Sequence, residues 1–132
     1  MEGRIDLLEN QQREAANSFS GAIRYIKFNS EYYQHLGKTL FLAGKHEQGI
    51  ENLKEAVKLN PYTAYYHADL AKAYFQSNQA DLAVEEYKKA IECYYNKPEY
   101  HLDLSQVYKA MGNQDLAKKE LALAEKIRGE ER

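Results

Sequence analysis

The chain has 132 residues, enough for one domain with a buried core and too few for two ordinary ones. Lys and Arg total 18 against 20 for Asp and Glu, giving a net charge of -2 and a pI near 6.1. That balance provides no basic surface for nucleic acid or for an anionic membrane. The single cysteine, Cys93, can form neither an internal disulfide nor a metal cluster, so no metal or cofactor is expected.

Residues 1–30 carry no signal-like apolar core. The longest apolar stretch, Leu40-Phe41-Leu42-Ala43, falls far short of the ~20 residues that cross a bilayer. The chain is therefore expected to be soluble, and cytoplasmic by default. From residue 30 onward the sequence repeats every 34 residues. A first unit, 30–63, carries Leu36, Gly37, Leu40, Gly49, Leu53 and Ala56, spaced by three, four and seven so that they share a helical face. It reads as two amphipathic helices joined at Gly44-Lys45, where glycine can take the left-handed conformation that ends a helix. Leu59-Asn60-Pro61 stops the second helix, and Thr63 is the expected N-cap of the next.

The second unit, 64–97, repeats the pattern with Leu70, Ala71, Tyr74, Ala83, Tyr87 and Ala90 about a turn at Asn78-Gln79. The third, 98–131, opens on Pro98, which suits a first helical turn. It carries Leu104, Ser105, Tyr108, Ala117, Leu121 and Ala124 about Gly112-Asn113. The recurring small residues let paired helices approach closely, while Tyr or Leu fills the space between.

These residues resemble the tetratricopeptide repeat, whose pattern asks for a bulky residue, then Leu-Gly, Tyr, Ala, Phe, Ala and Pro at fixed offsets. The first unit supplies Tyr33, Leu36, Gly37, Leu40, Gly49, Leu53, Ala56 and Pro61. Two departures stand out: the usual tryptophan is replaced by Tyr33, His67 and His101, and Tyr95 stands where the linker proline belongs. The resemblance implies an all-α fold, an α-solenoid (a right-handed superhelix) of about three helix-turn-helix repeats. Projected backwards, Ala15, Phe19 and Ala22 fall on the Ala, Phe and Ala offsets of a preceding second helix, so residues 1–29 read as a partial repeat. Only four polar residues follow Ile127-Arg128, without the extra capping helix that solenoids usually need. Both ends look cut, as in a fragment of a longer array or a domain whose edges pair with other copies.

No glycine-rich phosphate loop, nucleophile elbow or His-Glu-x-x-His motif occurs, so no enzymatic activity is expected. His67 and His101 sit at packing positions, and His46 lies near a turn. His35 shares its offset with Asp69 and Asp103, so a carboxylate of the next unit is a candidate partner for it. Among the tyrosines, Tyr74, Tyr87 and Tyr108 are expected in the core, whereas the run Tyr62, Tyr65, Tyr66 could be core or binding surface.

The resemblance further implies that the first helices line a concave groove through their second, fifth, ninth and twelfth positions. Here those are Glu31, Gln34, Lys38 and Phe41; Tyr65, Ala68, Lys72 and Phe75; and Glu99, Leu102, Gln106 and Lys109. Gln34, Lys38, Phe41, Tyr65, Lys72, Phe75, Gln106 and Lys109 are the candidate peptide-binding residues. Stacked lysines flanked by aromatics suit a protein or peptide ligand with an acidic group and one or two apolar anchors. The resemblance also implies that the carboxylate clamp of chaperone-tail binders is absent: that clamp uses Lys and Asn, then Asn, then Lys and Arg at the fifth and ninth positions, where this chain has Gln34, Lys38, Ala68, Lys72, Leu102 and Gln106.

An interaction module is the leading reading. A second is a self-assembly element that forms homo-oligomers through exposed end helices. A third follows from Asn60-Pro61-Tyr62 and Tyr65-Tyr66-His67, which look like repeats attached to bacterial surface-polysaccharide ligases and polymerases: a soluble appendage of a larger membrane enzyme. No direct membrane contact by this stretch is expected.

Overall fold

The computed structural model describes residues 29–130. Residues 1–28, including Ala15, Phe19 and Ala22 of the expected partial repeat, lie outside that range. Six helices follow in order: α1 (Ser30–Leu42), α2 (His46–Leu59), α3 (Ala64–Gln76), α4 (Ala80–Cys93), α5 (Pro98–Ala110) and α6 (Gln114–Glu130). There is no strand among the described residues. Consecutive helices form three hairpins, and these pack side by side into an all-α solenoid.

All three hairpin turns are built alike. Gly44, Asn78 and Gly112 have φ of 89°, 63° and 84°, the left-handed conformation that glycine and asparagine tolerate best. In each, the amide after the left-handed residue reaches back five residues: Lys45 N to Leu40 O at 2.9 Å, Gln79 N to Tyr74 O at 2.9 Å, and Asn113 N to Tyr108 O at 2.9 Å. A second bond from the left-handed residue itself completes the Schellman cap that satisfies the last carbonyls of α1, α3 and α5.

Pro98 opens α5, where its missing N–H is not needed. Thr63 occupies the N-cap of α3 with an extended backbone, but its side chain makes no capping bond. Two other helix starts are capped by a side chain: Asn29 accepts from Glu31 N at 3.0 Å before α1, and Asn113 accepts from Leu116 N at 3.2 Å before α6.

The periodic residues meet where their spacing requires. Ala56, Ala90 and Ala124 are fully buried, and Leu53, Leu70, Tyr74, Tyr87, Leu104 and Tyr108 lie in the core. Leu121 differs: it was expected inside with Leu53 and Tyr87, yet it is 43% exposed, because no further hairpin among the described residues lies over α6. Leu116 and Met111 are exposed as well.

Candidate functional site

The first helix of each hairpin, α1, α3 and α5, contributes the expected groove positions, and the structure sorts them into separate places. Lys38, Phe41 and Lys72 come together in a cleft of about 120 Å³ whose other walls include Leu53 and Asp69. Phe41 is half-buried there and stacks on His46, with ring centres 4.3 Å apart. Tyr65 lies elsewhere, in a cleft of about 560 Å³ shared with Tyr94, Lys97 and Tyr100. Gln106 and Lys109 line a third, of about 380 Å³, with Leu102, Ala117 and Leu121 at the end of the third hairpin.

Two candidates are committed to the fold instead. Gln34 is only 3% exposed, and its carboxamide donates to Asp69 Oδ2 at 2.6 Å, tying α1 to α3. Phe75 packs against the core. The pairing considered for His35 is not formed: His35 is exposed beside Glu31 of its own helix at 3.6 Å, while Asp69 takes the Gln34 amide. Of the tyrosine run, Tyr62 is exposed, Tyr65 half-exposed and Tyr66 buried, its hydroxyl accepting from Ser30 Oγ at 3.2 Å.

Behind the inner wall, two buried histidines do more than fill space. His67 Nε2 donates to the Pro61 carbonyl at 2.7 Å and Nδ1 faces Glu86 Oε1 at 3.1 Å. One period later His101 Nε2 donates to the Tyr95 carbonyl at 3.0 Å, and Nδ1 faces Glu120 Oε2 at 2.7 Å. Each ring thus joins the preceding linker, its own first helix and the following second helix. The missing linker proline does not disturb this, because only a carbonyl is asked of position 95.

A neutral imidazole has one donor, so holding two acceptors favours the doubly protonated ring. The Glu86 bond accordingly raises the His67 pKa, against burial and with help from the Pro61 carbonyl. Burial pushes the Glu86 pKa up, but His67 and Lys89, whose Nζ is 3.3 Å from Oε2, outweigh it and the net direction is down. Sequence reasoning missed this clasp although its signal was present: Glu86 and Glu120 repeat at the same 34-residue interval as His67 and His101.

Asp103 lies half-buried on α5, and burial raises its carboxyl pKa, opposed by the nearby Lys72. The Cys93 thiol donates weakly to the Pro61 carbonyl at 3.5 Å, and burial raises its pKa, which disfavours a reactive thiolate. Among the described residues no cluster of His, Cys, Asp or Glu could hold a metal ion, and no helix is long and apolar enough to cross a membrane.

These stacked hairpins define a helical repeat scaffold. Sequence models of the family described as TPR repeat match residues 37–78, and those described as tetratricopeptide repeat match 64–96 and 98–130. The chain belongs to the tetratricopeptide repeat family, whose members are protein-interaction scaffolds and typically not catalysts. Its fold is similar to that of MamA. One crystal structure of MamA superposes with a TM-score of 0.80 at 23% identity, covering 98% of this chain and 75% of that one. A second crystal structure of MamA protein gives 0.73 at 25% identity, over 90% and 69% of the two chains. The MamA RS-1 ArsTM double mutant gives 0.80 at 17% identity, over 96% and 71%. No curated protein sequence matches the chain.

Proposed function

We propose that this scaffold binds an extended peptide segment of a partner protein along the inner wall formed by α1, α3 and α5. The observation that carries the reading is the meeting of Lys38 and Lys72, from two successive hairpins, beside the half-buried ring of Phe41 in one cleft. An acidic side chain answers the lysines, and an apolar neighbour on the same peptide covers Phe41. Gln34 and Phe75 serve this surface by fixing its wall. The division into units 30–63, 64–97 and 98–131 after a partial repeat over 1–29 belongs to the same proposal.

The test is a selection from a random linear peptide library on the full chain, with affinities of recovered peptides measured by fluorescence anisotropy. Lys38→Glu with Lys72→Glu is expected to weaken acidic peptides by tenfold or more, since each exposed charge pair contributes roughly 0.2–1 kcal/mol and reversal adds repulsion. Equal binding by the double variant and the parent overturns the reading.

A second reading, self-association, is favoured by a separate observation. Leu116 and Leu121 are exposed on α6, and Leu121 lies against the cleft it shares with Leu102 and Ala117. Light scattering across a concentration range tests it: a parent chain that stays monomeric rules it out, and so does association that Leu121→Glu leaves unchanged.

A further inference from the structure

The two seams of the inner wall carry the same positions and are finished differently. Between α1 and α3, Ser30 Oγ donates to the Tyr66 hydroxyl and the Gln34 carboxamide donates to Asp69. One period on, between α3 and α5, the acceptors recur as Tyr100 and Asp103, but the donors have become Ala64 and Ala68. Both polar ties are lost at once. Ala64 and Tyr100 instead line the 560 Å³ cleft together with Tyr65 and Tyr94.

Asp103 is correspondingly short of partners. Its surroundings act on it through burial and through the charges of Lys72 and Glu99, with no hydrogen bond from a side chain among the described residues. Its oxygens are not sealed from solvent, so water holds the place that a ligand's donor would take. Asp69, the same residue one hairpin earlier, shows what satisfies the position: a neutral primary carboxamide arriving from the neighbouring helix.

We infer that the α3/α5 seam is a subsite for an Asn or Gln side chain of the bound peptide, whose carboxamide donates to Asp103 across Ala68 as Gln34 donates to Asp69. This rests on the peptide-binding reading above and names one residue class of the ligand. Lys72 decides the charge of the donor. It already supplies a cation beside Asp103, so a neutral carboxamide fits where a lysine or arginine would meet repulsion. The tyrosine-lined cleft at the end of the seam leaves room for the peptide to continue over Tyr65 and Tyr94, rings that are 48% and 56% exposed.

The test uses the same peptide selection on the full chain and on Ala68→Gln, which builds into the protein the donor that the ligand is inferred to bring. Peptides selected by the parent are expected to share an Asn or Gln at one position. Ala68→Gln is expected to lose that preference and to bind the selected peptide about tenfold more weakly, while a Gln→Met analogue of the peptide binds both proteins alike. Asp103→Ala gives a second reading of the same contact should Ala68→Gln fold poorly, and it is expected to behave as Ala68→Gln does. Peptides that depend on Lys38 and Lys72 but show no carboxamide preference, or keep it in both variants, overturn this inference and leave the groove standing. Failure of the parent chain to select any peptide overturns both.

Discussion

In the first hairpin Gly37 and Gly49 face one another so closely that a Cβ on either would lie 2.8 Å from the carbonyl oxygen of the other. In the second, Ala71 and Ala83 fill the same two places, and His67, one turn earlier, is bound to Glu86. The first hairpin has Tyr33 and Asn52 at the clasp positions, and Asn52 spends its amide on the Gln48 carbonyl of its own helix. One repeat pattern therefore closes its helix pair in two ways. Where glycine backbones touch, neither clasp position of the first hairpin bridges the helices; where alanines stand in the glycines' places, a histidine and a glutamate do.

The largest effect should come from breaking the bridge. His67→Ala leaves the Glu86 carboxylate buried with only the exposed Lys89 beside it, and is expected to destabilise the fold by roughly 3 kcal/mol in urea denaturation. The double variant His67→Tyr with Glu86→Asn copies the pair found in the first hairpin and should recover most of that loss. A double variant no more stable than His67→Ala would mean that the first hairpin's solution cannot be moved, and that the two hairpins differ in more than these residues.

The converse test strikes the first hairpin. Gly49→Ala improves helix propensity by up to about 1 kcal/mol, but its methyl meets backbone atoms of Gly37 and Phe41 at 2.8–3.0 Å. Backbone cannot swing aside as a flexible side chain can, so overpacking is expected to win, with a net loss of about 1–2 kcal/mol. Ala83 of the second hairpin already has the methyl and tolerates it, so a neutral Gly49→Ala would show that the spacing of the two pairs is the same after all.

The difference between these hairpins also marks how far sequence alone could reach. Leu70, Tyr87 and Ala90 announced the fold because burial of apolar faces at helical spacing leaves few alternatives, and the left-handed turns at Gly44, Asn78 and Gly112 follow from local conformational energy. The cleft uniting Lys38, Phe41 and Lys72 was legible for the same reason, since a fixed repeat frame fixes which positions share a wall. Polar partners were not. Gln34 reads as a groove residue until Asp69 is seen 2.6 Å away, and His35 reads as the nearer match because it shares the offset of Asp69. Hydrogen-bond choice depends on side-chain direction at the seam between helices, and periodicity places Cα positions without resolving it.

The smallest expected effect sharpens the comparison most, because it is a difference in pH dependence between two chains with the same fold. His67 has its pKa raised in the folded state, so its contribution is fully present below the unfolded value of about 6.5 and is lost as pH rises through the folded value. Glu86 has its pKa lowered, so its contribution is present above the unfolded value of about 4.3 and is lost as pH falls through the folded value. The clasp should therefore stabilise most between those two unfolded values. Urea midpoints for the parent minus those for His67→Tyr with Glu86→Asn should trace a dome with its top in that window, falling on both sides. A flat difference would mean that His67 is held as a neutral ring, and that the clasp is an ordinary hydrogen bond rather than an ion pair joining the linker and two helices.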